Sequence, residues 1–453
     1  MSRVSRIGQF RPQAEAIEAV RALVEAARQG SPNLKELLEA ALDEAPIPES
    51  DPLAPAQGPV AVSGQDFLFL LRTDQPAAVC INDQRPVPMT PIEGTDYSYR
   101  LETLRLGTTH NFNWHIGGQI VGGMGGMMPL SVAGYSPGSY PMPGAPPGTL
   151  SEMRTITSAI YGGARCDYWI YTNPGIDTER GAPLMIWLDG RQYVGLADVF
   201  RIRMQTVTDN LVHRKLIPPM VHVLLAAGMG GSTVLPIIPD GWTQDAALRS
   251  FQYDTLTDDF RQHLMDEVLP EIEKTVKLRR DGYSRAIAGV SSSSVAAFKV
   301  CWDRSDQFSR VYSTIGSFTA LQWHPEQHLD GGFIFPFLVR REPRKNIRVW
   351  LSDGLHDIDP DATDEPRRGY ETGSWPLSNL QMAQALKAKL YDCHFRYGTA
   401  AHNSAQSALD LPEALAWLWR GYDPDKTSEV YEQEEAERAK PLYRVQVVNR
   451  DAW

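Results

Sequence analysis

The segment RAIAGVSSSSVAAF, residues 285–298, carries the clearest chemical pattern in the sequence. An apolar run ends at Gly289 and Val290, and a cluster of serines and other small residues follows at once. This order predicts a strand, a sharp turn and a helix, which together present a nucleophilic serine above a sheet edge. Ser291 is the candidate nucleophile, because it alone in the cluster follows a glycine by two positions. In the usual G-x-S-x-G pattern a glycine stands where this chain has Ser293.

A serine hydroxyl is a weak nucleophile near neutral pH and needs a neighbouring base. His402 is the candidate base, because it follows a predicted strand and small residues and precedes a predicted helix. A carboxylate between serine and histidine in chain order would orient the imidazole. Three aspartates follow the predicted strand IRVWLSDG, namely Asp353, Asp357 and Asp359, and we favour Asp357. A solvated acidic loop is the alternative interpretation of this segment.

If this serine attacks a carbonyl carbon, as in ester hydrolysis, the site also requires backbone N–H groups that stabilise the negatively charged oxygen that forms. One donor is expected directly after the nucleophile, at Ser292, and a second in the loop that follows an early strand. The loop after PLMIWLDG suits the second donor, and we expect the amide of Gly190 or Arg191 to supply it. An ordinary Asp-Gly turn is the alternative interpretation of that loop.

These candidate residues lie in a region, from about residue 150 onward, where apolar runs alternate with amphipathic stretches. Repeated strand-then-helix order predicts an α/β fold with a mainly parallel sheet and helices on both faces. Helices are expected at 255–276 and 295–302. The serine, the histidine and the aspartate would then meet at one edge of this sheet.

The remaining segments differ from this region in their pattern of apolar, glycine and proline residues. Residues 59–122 hold short alternating apolar runs between turn residues, which predict a small β-sandwich. Residues 1–58 predict a helical hairpin and a Pro-rich linker, with packing or dimerisation as its role. The Gly- and Pro-rich residues 123–148 predict a connection without regular structure. The catalytic domain is placed at 149–422, and residues 423–453 form a tail with a charged helical stretch and a short strand pattern.

Composition excludes several classes of function. A net charge of -11 and a pI near 5.5 argue against general nucleic-acid binding, which needs a basic face. The four cysteines have no C-x-x-C pair, so neither a metal site nor a dense disulfide framework is indicated. No signal-like N-terminus and no apolar stretch of about 18 residues occur. We therefore expect a cytoplasmic protein with no cofactor, no metal and no nucleic-acid or membrane partner.

Several blocks of this sequence, taken in chain order, resemble those of the enterochelin esterase-like branch of the putative esterase family, within the α/β-hydrolase superfamily. The resemblance spans about 59–420 and rests on MIWLDGRQY, RSFQYDT, RAIAGVSSSSVAAF, RVWLSDGLHD and GTAAHNSAQSALDLPEALAWLWRGY, together with PPGTLSEMRTITSAIYGGARCDYWIYTNPG. It implies an α/β-hydrolase fold and a catalytic triad of Ser291, Asp357 and His402. It also implies an immunoglobulin-like N-terminal domain similar to carbohydrate-binding modules.

The chain departs from the family pattern at positions where glycines and one glutamate are usual. Small residues in place of glycine preserve volume but restrict the backbone, which affects the geometry offered to a substrate. The departures are Ser293 and Ser294 after the elbow, Ala400, Ala401 and Ser404 around the histidine, and Gln252 in the RSFQYDT block.

The expected function is hydrolysis of a small-molecule carboxylic ester through an acyl-enzyme. The resemblance implies an anionic catecholate trilactone as substrate. A pocket for it would use arginines and an aromatic side chain, and solvated surface arginines are the alternative interpretation. An esterase for feruloyl or acetyl groups on carbohydrates and a catalytically degenerate binding protein are the other two hypotheses. A homodimer and a monomer explain the terminal segments equally well. The candidate substrate-binding residues are Arg191, Arg249, Arg340, Arg341 and Trp375.

Overall fold

The computed structural model describes most of the chain. The described residues are 18–44, 60–63, 65–122, 128–135, 137–194, 202–236, 238, 241–359, 372–440 and 446–447. Part of the predicted N-terminal helix at 12–29, the Pro-rich linker and residues 441–445 and 448–453 of the C-terminal tail lie outside these residues.

The N-terminal part contains a helical hairpin and short antiparallel strands. Its elements are α1 (Glu18–Gln29), α2 (Leu34–Glu44), β1 (Val60–Ser63), β2 (Asp66–Arg72), β3 (Ala77–Ile81), β4 (Val87–Pro88), β5 (Thr90–Pro91), β6 (Tyr97–Thr103), β7 (Thr108–Ile116), β8 (Gln119–Val121) and β9 (Leu130–Gly134).

Strands and helices alternate in the C-terminal part. The strands are β10 (Thr149–Leu150), β11 (Arg154–Ser158), β12 (Ala164–Thr172), β13 (Leu184–Leu188), β14 (Val221–Leu225), β15 (Arg285–Val290), β16 (Arg310–Thr314), β17 (Arg348–His356), β18 (Asp392–Ala401) and β19 (Gln446–Val447). The helices are α3 (Met204–His213), α4 (Gln244–Asp254), α5 (Asp259–Gln262), α6 (Leu269–Glu273), α7 (Ser292–Asp303), α8 (Phe335–Arg341), α9 (Trp375–Ala388), α10 (Ala405–Leu418) and α11 (Glu435–Arg438).

Two small sheets face each other in the N-terminal part, in the orders β1-β2-β6-β5 and β4-β3-β7-β8, with β9 paired to β7. Strand β2 is buried on both faces because its side chains alternate between two cores. Phe67 and Phe69 point into the core between the sheets, beside Trp114, whereas Leu68 and Leu70 pack against α1 and α2. The helical hairpin therefore covers the outer face of the first sheet, which accounts for its apolar residues by packing within the chain.

Strand β9 lies inside the segment 123–148, for which the sequence predicted no regular structure. It pairs antiparallel with β7, from Thr108 opposite Gly134 to Phe112 opposite Leu130. Its five residues are buried. The prediction was wrong at these positions, because partners from β7 supply the backbone hydrogen bonds that the local composition does not encode.

The large sheet has the strand order β10-β12-β14-β13-β15-β16-β17-β18-β19, with β11 paired to β12. From β14 to β19 the strands are parallel, and β12 runs antiparallel to β14. This confirms the predicted α/β fold with a mainly parallel sheet. The carboxyl ends of β13, β15, β17 and β18 lie along one edge, and each is followed by a segment that carries a candidate functional residue.

Helices cover both faces of this sheet. Strand β13 shows why: Ile186 and Leu188 belong to one core and Trp187 to the other. Helices α3 and α10 pack on the Trp187 face, and α4 to α9 lie on the opposite face. The helix predicted at 255–276 spans Asp259–Glu273 instead and contains a π-helical turn at His263–Val268, while α4 precedes it.

The described part of the C-terminal tail contains one short helix, α11, and one short strand, β19, which extends the large sheet beside β18. These match the helical stretch and the strand pattern expected there. None of the helices in the described ranges is long and apolar enough to cross a membrane.

Candidate active site

The turn after β15 holds Ser291 in a backbone conformation that few residues adopt. Its φ and ψ are 57° and -126°, directly before the first residue of α7. Gly289 makes this turn possible, because a Cβ at that position would lie 2.2 Å from the carbonyl oxygen of Ser293. Strain of this kind persists where the surrounding structure fixes the backbone. The sequence predicted this strand, turn and helix in the observed order.

Ser291, His402 and Asp357 form a continuous chain of hydrogen bonds. Ser291 Oγ lies 2.9 Å from His402 Nε2, and His402 Nδ1 lies 2.5 Å from Asp357 Oδ1. These residues come from the ends of β15, β18 and β17, so the parallel sheet brings together positions that are 111 and 45 residues apart in the chain. Among the three aspartates left open by the sequence, Asp357 is the one whose hydrogen bond to His402 is observed.

The carboxyl group of Asp353 is buried beside Asp357. Burial raises the pKa of Asp357 to about 7, against hydrogen bonds from Asp353 and from the amide of Ile358 that lower it. Burial, the adjacent charge of Asp357 and the hydrogen bond between the two carboxyls raise the pKa of Asp353 well above its ordinary value. Because Asp353 Oδ2 and Asp357 Oδ2 are both buried without another hydrogen-bond partner, we expect Asp353 to be the neutral member and to donate to Asp357. Asp359 lies two residues further along and is half-buried.

Burial also changes the proton affinity of the imidazole. It lowers the pKa of His402 to about 4, against a smaller opposing contribution from the Asp353 carboxyl and with a further lowering by the positive charge of Arg249. Desolvation disfavours the charged imidazolium in this position. His402 is therefore neutral near physiological pH and can accept a proton from Ser291.

Ser317 is a further polar group beside Ser291, which the sequence did not single out. Its hydroxyl lies 3.1 Å from Ser291 Oγ and accepts a hydrogen bond of 2.9 Å from Trp375 Nε1. Because an indole N–H can only donate, the remaining hydrogen of Ser317 is free to point at Ser291. The Ser317 N–H also bonds to the carbonyl oxygen of Ser291, at 3.1 Å. The only signal in the sequence was its place directly after a predicted strand, RVYSTIG.

The candidate oxyanion donors lie on two adjacent segments. Ser292 is the first residue of α7, where the backbone N–H groups have no acceptor within the helix. Gly190 and Arg191 begin a short 3-10 helix directly after β13. Gly190 lies so close to β14 that a Cβ would come within 2.2 Å of the carbonyl carbon of Leu224. Glycine is thus required for this loop to approach the sheet edge.

The predicted substrate-binding residues have different positions. Arg249 forms a two-point ion pair with Asp189, and its positive charge helps to lower the pKa of His402. Trp375 is buried, with its ring edge-on to the imidazole at a centroid distance of 5.8 Å. The side chain of Arg191 is about half exposed and pairs with Asp167.

Arg340 and Arg341 are not part of this cluster. Arg340 donates to the carbonyl oxygen of Pro336 at 3.2 Å and to Gln384 Oε1 at 2.9 Å, which holds it on the surface formed by α8 and α9. Arg341 is exposed at the end of the same helix. Sequence alone could not exclude them, because a helix end gives no indication of which way its side chains face.

The N-terminal part contacts the loop that carries His402. Met128 Sδ accepts a hydrogen bond of 3.1 Å from the backbone N–H of His402. Asn111 Nδ2 donates to the carbonyl oxygen of Thr399, and Thr109 Oγ1 lies 3.2 Å from Gln406 Oε1. Met128 and strand β7 therefore contact the loop, the end of β18 and the start of α10. These contacts join residues more than 270 positions apart, which no sequence pattern indicates.

Comparison with known proteins bears on this site. The model of the family described as "Putative esterase" matches residues 165–418, more than half of the chain. The Iron(III) enterobactin esterase of Dickeya dadantii (strain 3937) is 25% identical over 276 residues, which cover 57% of this chain and 53% of that protein. The chain thus spans about half the length of this curated relative.

Solved structures show the same fold. The enterobactin esterase of Shigella flexneri in the presence of enterobactin superposes with a TM-score of 0.53 at 18% identity, covering 78% of this chain and 93% of that chain. The enterochelin esterase of Shigella flexneri gives a TM-score of 0.53 at 17% identity, covering 78% and 92%. The chain belongs to the esterase family and shares the hydrolase fold of the enterobactin esterases, which confirms the resemblance found in the sequence.

Proposed function

We propose that the protein is a serine carboxylic ester hydrolase that works through an acyl-enzyme. The observation that carries this proposal is the chain of hydrogen bonds from Ser291 through His402 to Asp357, with distances of 2.9 and 2.5 Å. A nucleophile bonded to a base, and a base oriented by a third group, form the recurring arrangement of serine hydrolases. Membership of the esterase family supports the same chemistry.

In the first half of the proposed reaction, Ser291 Oγ attacks the ester carbonyl carbon while its proton passes to His402 Nε2. Asp357 stabilises the imidazolium that forms. The tetrahedral oxyanion accepts hydrogen bonds from the amide of Ser292 and from that of Gly190 or Arg191. The bond between the carbonyl carbon and the alcohol oxygen then breaks, and the alcohol leaves with the proton from His402.

In the second half, a water molecule attacks the acyl group on Ser291 and gives one proton to His402. The bond between the acyl carbon and Ser291 Oγ breaks, and Ser291 recovers its proton from His402. The products are the free acid and the unchanged enzyme. Because burial keeps His402 neutral at rest, it is available as a base in both halves.

For the substrate, we propose an ester of an aromatic acid of the siderophore trilactone type. The similarity to enterobactin esterases supports this class. The ring of Trp375 beside His402 offers an aromatic surface close to the reacting atoms. Arg191 is the predicted substrate-binding arginine on the loop of the oxyanion donors; its half-exposed guanidinium pairs with Asp167 and lies 5.7 Å from the centroid of the Trp169 ring.

Labelling with a fluorophosphonate tests the chemical step. The probe should react stoichiometrically with Ser291, which displaces fluoride and forms a bond between Oγ and phosphorus. Ser291→Ala should abolish labelling. Ser294→Ala is the matched control, because it removes a hydroxyl three residues away and should leave labelling intact. A folded wild-type protein that takes up no probe would contradict ester hydrolysis and favour a binding protein of hydrolase fold.

A set of catecholate trilactone, feruloyl and acetyl esters tests the substrate class separately. We expect the highest kcat/KM for the catecholate trilactone. Faster turnover of feruloyl esters would reassign the substrate to plant-type aromatic esters while leaving the mechanism intact. The two experiments therefore separate the reaction from its specificity.

A further inference from the structure

Ser293 stands at the position where the family usually has the last glycine of the elbow, and its side chain is fully buried. Its Oγ lies 2.8 Å from Asp189 Oδ2 and accepts a hydrogen bond of 2.8 Å from the Val290 N–H. The carbonyl oxygen of Val290 is also 2.8 Å away. A hydroxyl has one hydrogen to donate, and a carboxylate is the stronger acceptor, so the hydrogen points to Asp189.

Asp189 is itself fixed from the other side. Arg249 Nε donates to Oδ1 at 2.7 Å and Nη2 donates to Oδ2 at 2.6 Å, in the two-point geometry of a strong ion pair. Burial opposes the charge on Arg249, but the attraction of Asp189 outweighs it and raises the pKa of Arg249. Arg249 is therefore positively charged at all ordinary pH values.

The backbone of Asp189 also constrains its neighbours. Its φ and ψ are 56° and 42°, in the left-handed region that a residue with a Cβ adopts only when the surroundings hold it there. The next residues, Gly190 and Arg191, carry the candidate oxyanion donors. An interaction that fixes the carboxylate of Asp189 thus fixes the start of this loop.

The hydrogen bond between Ser293 and Asp189 consequently joins the two segments from which the oxyanion donors come. On one side lies the turn with Ser291 and the amide of Ser292, and on the other the loop with Gly190. We propose that Ser293 is a positioning residue, which with Asp189 and Arg249 fixes the separation of the two oxyanion donors. This inference rests on the proposed esterase function and deepens it.

The structure also explains why serine is tolerated at this position. Ser293 is the second residue of α7, and its φ is not among the positive values found in the turn. Within the elbow, glycine is required at Gly289 for steric reasons, because a Cβ there would come within 2.2 Å of the carbonyl oxygen of Ser293. A glycine at 293 would therefore add flexibility without relieving strain, and it would remove the link to Asp189.

The experiment compares Ser293→Ala and Ser293→Gly with Ser294→Ala. Ser294 is the matched control, because its hydroxyl is equally buried but donates to the carbonyl oxygen of Thr314, at 3.2 Å, and not to the oxyanion loop. Hydrolysis of an activated ester gives kcat and KM for each variant. We expect both changes at 293 to lower kcat roughly 10-fold or more, with KM changed less than about 3-fold, because the oxyanion donors that stabilise the transition state are no longer held at a fixed separation. Ser294→Ala should keep kcat within about 3-fold of the wild type.

Urea unfolding of the three variants shows whether a loss of stability alone accounts for the change in kcat. If Ser293→Ala does not fold, Asp189→Asn replaces it, since this change weakens the same link from the other side and should lower kcat without raising KM. Equal kcat values for the 293 variants and the wild type would overturn the positioning role. A wild-type protein that neither hydrolyses the ester nor takes up a fluorophosphonate would instead contradict the proposed function.

Discussion

The two buried carboxyls beside His402 lead to a prediction about the pH dependence of activity. Burial raises the pKa of Asp353 well above its ordinary value and that of Asp357 to about 7, so we expect a neutral Asp353 that donates a hydrogen bond to Asp357. The active form needs an ionised Asp357 and an unprotonated His402 Nε2. Asp357 and His402 are coupled, so one proton taken up by the two together removes the base, whichever residue holds it. Activity should therefore be present above pH 7 and be lost as the pH falls through about 7.

Two substitutions of Asp353 should have different effects. Asp353→Asn keeps an N–H donor for Asp357, so the acid limb of kcat/KM should stay near its wild-type position. Asp353→Ala removes the donor from a buried carboxylate. A hydrogen bond to a charged group contributes about 1.5–3 kcal/mol, and one pKa unit corresponds to about 1.4 kcal/mol, so the acid limb should rise by about 1–2 units.

The assay is the pH profile of kcat/KM for a chromogenic ester, read at a wavelength where the product absorbs independently of pH. Infrared spectroscopy provides an independent reading, because a protonated Asp353 has a carboxylic acid carbonyl band that Asp353→Asn removes. A downward shift of the acid limb in Asp353→Asn would show that Asp353 is ionised in the wild type and would refute the reasoning. An unshifted limb in Asp353→Ala would refute the hydrogen bond to Asp357.

Three further predictions concern the same cluster. Asp357→Asn should lower kcat roughly 10³- to 10⁴-fold in steady-state assays, because the amide favours the wrong tautomer of the imidazole; a loss below about 10-fold would argue for another acid. Gly289→Ala should abolish labelling of Ser291 and lower the free energy of unfolding by about 1–3 kcal/mol in urea titrations, because its Cβ would overlap the elbow backbone; normal labelling would contradict this. Ser317→Ala should lower kcat about 3- to 10-fold, and Trp375→Phe should lower it less. The double variant should have the same kcat as Ser317→Ala, because Trp375 acts through its hydrogen bond to Ser317. Additive losses would show that the two residues act independently.

Local patterns were sufficient for several features of this protein. The elbow depends on a buried strand, one glycine and small residues in immediate succession, all within a dozen positions of Ser291. The alternation of apolar strands with helices determined the parallel sheet, because strands covered on both faces must be apolar throughout. Chain order then limited the base and the acid to the ends of later strands. These features could be predicted because each depends on neighbours in the sequence.

Other features depend on contacts between distant segments. The small sheets supply a strand partner to Leu130–Gly134, although the Gly- and Pro-rich composition around it favours an irregular connection. Arg249 looked like a residue for an anionic substrate, yet its guanidinium is held by Asp189. Arg340 looked equivalent but faces the surface between α8 and α9. A sequence gives the charge of an arginine, whereas the direction of its side chain follows from packing.

The sequence by itself determined which residue types could do the chemistry, where the strained turn lies, and that the sheet would gather Ser291 and His402 at one edge. Only the tertiary structure decided that Asp357 rather than Asp353 or Asp359 contacts the imidazole, and that Asp353 is buried beside it with a raised pKa. It also showed that Ser293, a departure from the family pattern, bonds to Asp189. The physical reason is that hydrogen bonds and pKa values depend on distance and burial, which arise when segments remote in the chain come into contact.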